Sequence, residues 1–289
     1  MAFPTAVVCA TDLSGRCDRA MDRAAQLARG WNARLIVVHA LETSLELIEA
    51  RRLRDLPSWH GTADRAQLAI SRVRQDLGDQ FPDATAVVEE GDPAELVKRA
   101  CSSHRAGLIV TGVARDELFG RRLLGGTVDA LIRQVTVPLL VVRDRPRRPY
   151  GRIVVATDFS PASRSALETA AGLFPEADLV PFHAFRVLTG GIADRGRMRG
   201  GWRTLVEQDM AAFLAAATLP EALRARLRPV LEEGDPEPLL RAYTADTQTD
   251  LVVTGARGQS GALDLILGNT ARRLIDGLTC DVLAVRVAG

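Results

Sequence analysis

One segment of this chain is written twice. Val8-Cys-Ala-Thr-Asp12-Leu-Ser14 returns as Val154-Val-Ala-Thr-Asp158-Phe-Ser160. Three further matches follow in the same order. Glu89-Glu-Gly-Asp-Pro93 returns as Glu232-Glu-Gly-Asp-Pro236, Leu108-Ile-Val-Thr-Gly112 as Leu251-Val-Val-Thr-Gly255, and Leu123-Leu-Gly-Gly-Thr127 as Ile266-Leu-Gly-Asn-Thr270. Asp158 trails Asp12 by 146 positions and Gly255 trails Gly112 by 143, so three residues are gained and lost between copies. Four matches in the same order make the chain two copies of one small domain in tandem. The chain has 289 residues, room for two ordinary domains, each large enough to bury its own core. Between the copies lies the proline-rich polar stretch Asp144-Arg-Pro-Arg-Arg-Pro-Tyr-Gly151, which reads as a linker. The expected domains are 1–145 and 146–289.

Within each copy, short apolar runs alternate with longer amphipathic stretches. The runs are Ala6–Ala10, Leu35–Ala40, Ala84–Val88, Leu108–Thr111 and Val137–Val142, then Ile153–Thr157, Leu179–Phe182, Pro229–Leu231, Leu251–Thr254 and Val282–Val287. Unbroken apolar runs of this length predict strands buried on both faces. Helices are expected between them. Ser160-Pro161 reads as a cap with proline at the first helical position, and Asp92-Pro-Ala-Glu95 as a capping box. The order β-α-β-α-β-α-β-α-β predicts an α/β fold, a doubly wound five-stranded parallel sheet in each half, with right-handed crossovers.

Composition removes several function classes. The net charge is +1, which forces neither a nucleic-acid nor a membrane partner. Lys98 is the only lysine, so no glycine-loop lysine for phosphates is possible. Cys9, Cys17, Cys101 and Cys280 include no CxxC spacing, and Cys9 and Cys280 sit in apolar runs. A reduced, cytoplasmic setting is the expectation. No apolar stretch reaches the roughly 18 residues of a membrane helix.

Ligands on open parallel sheets bind beyond the carboxyl ends of the strands, where the strand order reverses. Asp12 and Asp158 follow the first strand of each half. Thr254-Gly255-Ala-Arg257-Gly258, nine residues, and Gly268-Asn269-Thr270 follow the fourth strand of the second half. Glycines let a backbone approach a phosphate, and a helix opening there offers N–H groups to an anion, although turn geometry alone also selects glycine. His39 and His183 end the second strands without an evident Ser or Cys partner, which favours a structural role. The stretch from Gly190 to Gly201 holds three arginines among five glycines and reads as a solvated loop, with a cationic lid as the sharper alternative.

The strand-one aspartate and the spacing Gly255-x-x-Gly258, nine residues, Gly268-Asn269 make the chain resemble the universal stress protein family, over both halves. The resemblance implies a Rossmann-like sheet of order 3-2-1-4-5 and an adenine nucleotide, ATP with or without Mg, as ligand. It implies binding residues Asp158, Ala184, Thr254, Gly255, Arg257, Gly258, Gly268, Asn269 and Thr270 in the second half. In the first half it implies Asp12, Ala40, Thr111, Gly112, Gly125, Gly126 and Thr127. The first half departs from the motif: Arg115 stands where the second glycine belongs, and Gly126 where the small polar donor belongs. Binding is therefore expected chiefly in the second half. The resemblance also implies docking of the halves through their last strands as an internal pseudo-dimer, with a homodimer as a further possibility. The implied function is a non-enzymatic stress or signalling module. A degenerate scaffold binding no nucleotide, or another ligand, is the alternative.

Overall fold

The computed structural model describes residues 3–15, 17–41, 65–78, 81–113, 125–186, 195–256, 273–274 and 276–286. Two compact units divide between Arg147 and Arg148. The first contains β1 (Ala6–Ala10), α1 (Asp18–Trp31), β2 (Arg34–Leu41), α2 (Arg65–Leu77), β3 (Thr85–Glu90), α3 (Pro93–His104), β4 (Leu108–Gly112), α4 (Gly126–Gln134) and β5 (Leu139–Val142). The second contains β6 (Arg152–Ala156), α5 (Pro161–Leu173), β7 (Asp178–Phe185), α6 (Arg195–Ala216), α7 (Glu221–Arg226), β8 (Val230–Glu233), α8 (Pro236–Asp246), β9 (Leu251–Gly255) and β10 (Asp281–Val285).

All strand pairs within each unit are parallel. β1 lies between β2 and β4, β3 flanks β2, and β5 flanks β4, giving the order β3-β2-β1-β4-β5. The second unit repeats this as β8-β7-β6-β9-β10. The strand order thus reverses at β1/β4 and at β6/β9, and the two switch points are equivalent.

The apolar runs explain the central strands. β1, β4, β5 and β10 are buried at every position. Leu35, Ile36, Leu108, Ile109, Ile153 and Leu251 are fully enclosed, each worth about 1.5–3 kcal/mol of transfer free energy. β3 and β8 depart from the sequence expectation. Among the described residues each pairs on one side only, and both end on exposed glutamates, Glu89-Glu90 and Glu232-Glu233. An edge strand has only half a ladder and one sheltered face, so charge at its end costs little and discourages further pairing.

The glycine–arginine stretch is also corrected from Arg195 onward: Arg195–Gly201 forms the first turns of α6, continuous with the amphipathic helix that buries Val206, Met210 and Phe213. A long helix anchored by its apolar face carries weak formers such as glycine at its end; residues 187–194 lie outside the described residues. The linker's tyrosine is corrected too. Tyr150 is buried, and its hydroxyl donates to Asp281 Oδ2 at 2.6 Å across the second unit, from two residues before β6 to the start of β10. The capping box at Asp92 forms its first arm, Glu95 N–H to Asp92 Oδ1 at 2.9 Å, while the Glu95 carboxylate turns to Lys98.

Candidate nucleotide site at the strand ends

Each switch point is bordered by the turn after the first strand, and the two turns share a local design. Thr11 Oγ1 accepts the N–H of Leu13 at 2.9 Å, and Asp12 Oδ1 accepts the N–H of Ser14 at 2.9 Å. In the second unit Thr157 Oγ1 accepts from Phe159 at 2.9 Å and Asp158 Oδ1 from Ser160 at 3.0 Å. Thr-Asp-x-Ser is therefore a pair of overlapping side-chain turns, each side chain gripping a backbone N–H two residues on. The residue at x is forced into the left-handed region, φ 58° for Leu13 and φ 64° for Phe159. That conformation costs a bulky L-residue about 1–2 kcal/mol.

The histidines brace these turns. His39 Nδ1 lies 3.0 Å from Thr11 O, and His183 Nδ1 lies 2.7 Å from Thr157 O. A carbonyl can only accept, so both rings carry their proton on Nδ1. This tie between the second strand and the turn supports the structural reading of the pair.

The second unit adds a hydroxyl network at the start of α5. Ser160 is the N-cap and accepts from Ser163 N at 3.2 Å, with Pro161 in the first turn. Ser163 Oγ donates to Ser160 O at 3.0 Å and lies 2.9 Å from Thr157 Oγ1. A serine hydroxyl has one proton, and Ser163 gives it to Ser160 O, so Thr157 donates to Ser163. Gly255 closes the corner. A Cβ there would stand 2.7 Å from the carbonyl carbon of Ala162 and 2.9 Å from Ser163 N, so only glycine lets the first turn of α5 approach the end of β9 this closely. This packing role depends on a helix about ninety residues earlier, and sequence reasoning missed it. It also missed Ser163, though the repeated Thr-Asp-x-Ser pattern signals the turns themselves.

The register places the described site residues of the second unit at the carboxyl ends of three adjacent strands. Ala156 of β6 pairs with Thr254 of β9 on one side and Phe182 of β7 on the other, so the chain leaves β6 toward Asp158 between Gly255 and Ala184. Asp158 is exposed and Ala184 half-buried. Arg257, Gly258, Gly268, Asn269 and Thr270 lie outside the described residues, as does Arg115.

In the first unit Asp12, Ala40 and Thr111-Gly112 occupy the matching strand ends, and Gly125 caps α4 with Gly126 and Thr127 in its first turn. Gly126 is exposed, and a Cβ there would meet nothing within 4 Å among the described residues. The helix after β1 starts later: Cys17 precedes α1 and makes no side-chain cap. Burial pushes the Asp12 carboxyl up, but the polar groups of Ser14 and Cys17 outweigh it and hold Asp12 below its usual range. Burial pushes the Cys17 thiol up to about 11, so it stays protonated at neutral pH. A groove of about 410 Å³ beside this corner is lined by Asp18, Asp22 and Asp76 against Arg19 and Arg145. Burial raises Asp22 and Asp18 adds to that, while Arg145 opposes it.

Among the described residues no group of three or more His, Cys, Asp or Glu side chains is arranged to hold a metal ion. No helix among them is long and apolar enough to cross a membrane.

Fold and corners together define a class: a tandem pair of Rossmann-like α/β domains, each with a carboxylate-bearing turn at its switch point. The model of the Universal stress protein family matches residues 5–143 and again 149–286, nearly the whole chain. The chain belongs to the universal stress protein family. It is similar to a universal stress protein of Mycobacterium tuberculosis, 26% identical over 299 residues that cover 91% of this chain and 93% of the relative. A universal stress protein of Mycobacterium bovis is 28% identical over 202 residues, 64% of this chain, and the match spans only 60% of that relative's length. Among solved structures, a universal stress protein from Archaeoglobus fulgidus superimposes with a TM-score of 0.64 at 16% identity, covering 98% of both chains, a likeness of fold.

Proposed function

We propose that this chain is a non-enzymatic stress or signalling protein that binds an adenine nucleotide, ATP, chiefly at the switch point of its second unit. The observation that carries the reading is the Asp158 corner. Oδ1 is engaged by the Ser160 N–H, which fixes the carboxylate, and the residue remains exposed at the strand ends beside Gly255. A fixed, exposed carboxylate is suited to accept hydrogen bonds from ribose hydroxyls. Ala184 offers a small surface to the base, and the loop carrying Arg257, Gly258, Gly268, Asn269 and Thr270 would hold the phosphates. Magnesium, if it accompanies ATP, would be held by those phosphates rather than by a protein cluster.

The first unit is the weaker partner in this reading. Its aspartate, though also exposed, is already engaged by Ser14 and Cys17, Arg115 replaces a loop glycine, and the nearby groove places three carboxylates against two guanidinium groups. A triphosphate would meet net repulsion there.

The test is thermal. In protein stripped of bound ligand, ATP at a hundredfold its Kd should stabilise the chain by about 2.7 kcal/mol. Asp158→Ala should reduce that shift strongly, and Gly258→Arg, which copies Arg115, should reduce it as well. Phosphate release should stay at the buffer rate. A flat melting curve at millimolar ATP with magnesium sinks the nucleotide reading and leaves the scaffold.

A further inference from the structure

Between the two proposed contacts of the second unit, Asp158 and Ala184, lies a feature that neither the motif nor the nucleotide reading uses. Phe159 follows Asp158, and His183 precedes Ala184. Their ring centroids are 4.1 Å apart, tilted by 30°. On α6, Phe213 stands 5.8 Å from the same Phe159 ring. Phe159 holds φ 64°. Glycine, asparagine or aspartate would adopt that backbone at lower cost than a bulky side chain. A large residue persists there only where its surroundings over-determine it.

We propose that Phe159 is the positioning residue for nucleotide binding in the second unit: its ring, wedged against His183 and Phe213, locks the strained turn that aims the Asp158 carboxylate. This rests on the nucleotide reading given above. The lock is built through three links. The ring packs on His183, whose Nδ1–H reaches Thr157 O at 2.7 Å. Thr157 Oγ1 holds the Phe159 N–H, and Asp158 Oδ1 holds the next N–H along. A ring packed on His183 and Phe213 therefore fixes the dihedrals on both sides of Asp158. The first unit supplies the comparison. Leu13 takes the same backbone at φ 58°, in a turn whose Thr11 carbonyl is held by His39, but it brings no ring to stack. The strain is present in both units, while the aromatic lock belongs to the second.

A fixed carboxylate gains affinity because its ordering cost is met before the ligand arrives. Phe159→Leu, copying the first unit, should therefore weaken ATP by about fivefold, less than the ten- to hundredfold of losing a charged hydrogen bond outright in Asp158→Ala. Phe159→Tyr keeps the stacked ring and should restore most of the affinity. The decisive readout is the ratio of ATP to 2′,3′-dideoxy-ATP affinity, measured by calorimetry on the full chain. If Phe159 aims Asp158 at the ribose, Phe159→Leu narrows this ratio. Loss of both nucleotides in equal proportion assigns the ring a merely structural role and overturns the proposal. A ligand-free measurement stands beside it. Hydrogen exchange at the Phe159 and Ser160 amides should quicken in Phe159→Leu and return to the wild-type rate in Phe159→Tyr. Unchanged exchange overturns the lock even where ATP binding persists. Wild-type protein that fails to bind ATP removes the nucleotide reading itself, whereas binding that depends on Asp158 but ignores Phe159 removes only this inference.

Discussion

The corner after β1 and the corner after β6 begin with the same four-residue plan and end differently. Both grip two N–H groups with a threonine and an aspartate, both force a large residue to positive φ, and both tie the turn to a histidine. In the second unit the helix follows at once, capped by Ser160 and laced by Thr157 and Ser163. In the first, α1 begins at Asp18 without a side-chain cap, and Cys17 and Ser14 crowd the aspartate. The difference shows that a shared turn holds an exposed carboxylate in both units, while the segment behind it decides which neighbouring groups already engage that carboxylate.

Gly255→Ala should break the second corner most severely. The new methyl would meet the α5 backbone at 2.7–2.9 Å, and overpacking against backbone costs about 1–3 kcal/mol. Gly126→Ala in the first unit meets none of the described residues and should be neutral or slightly stabilising. Urea unfolding of both variants tests the contrast; equal losses would mean that the tight approach at Gly255 relaxes freely.

Next in size is the cap. Ser160→Ala removes the acceptor for Ser163 N and should cost about 1 kcal/mol, whereas Cys17→Ala removes no cap bond and should cost less. The same logic separates the helices that follow the edge strands. Asp92 caps α3 through Glu95 N, but Asp235 makes no cap bond and pairs with exposed Arg186 at 2.7 Å. Asp92→Ala should therefore lower the melting temperature more than Asp235→Ala; the reverse order would show that the ion pair outweighs the cap.

These pairs also measure how much the sequence disclosed. The repeat and the apolar runs were legible because buried parallel strands need unbroken apolar stretches; β1 falls on Ala6–Ala10 as read. The half-exposed edges β3 and β8 were not separable from central strands, because short runs do not announce how many neighbours they have. The start of α6 was hidden by glycines that local propensity assigns to a loop. At the site, Asp158 and Gly255 were visible as residue types, but the reason for Gly255 was not. It lies in the approach of α5, a tertiary fact that no local pattern carries. Nor do leucine and phenylalanine announce left-handed backbone, a conformation their side chains disfavour.

The smallest effect is a matter of acid. Asp12 is held below its ordinary pKa in the fold, so its contribution to stability is present above the unfolded value of about 3.9 and fades as pH falls through the lower folded value. Asp22 is raised, chiefly by burial, so its ionised form penalises the fold at neutral pH and the penalty lifts as pH falls. Asp12→Asn should flatten the loss of stability below pH 4, and Asp22→Asn should raise stability slightly at pH 7. Chemical denaturation across pH 3–7 separates the two signs; parallel curves for both variants would refute the assignment.

The buried pair Tyr150–Asp281 has a bearing on how the chain is made. Asp281 is fully enclosed at the head of β10, the last described strand of the second unit, and its partner sits before β6, the first strand of the same unit. A ribosome delivers the tyrosine long before the carboxylate. The first unit can close its sheet while translation continues, but the second must wait, its β9 edge bare, until β10 clears the exit tunnel. That interval is when β9 is most exposed to pairing with another chain, and a premature stop before Asp281 would make the interval permanent.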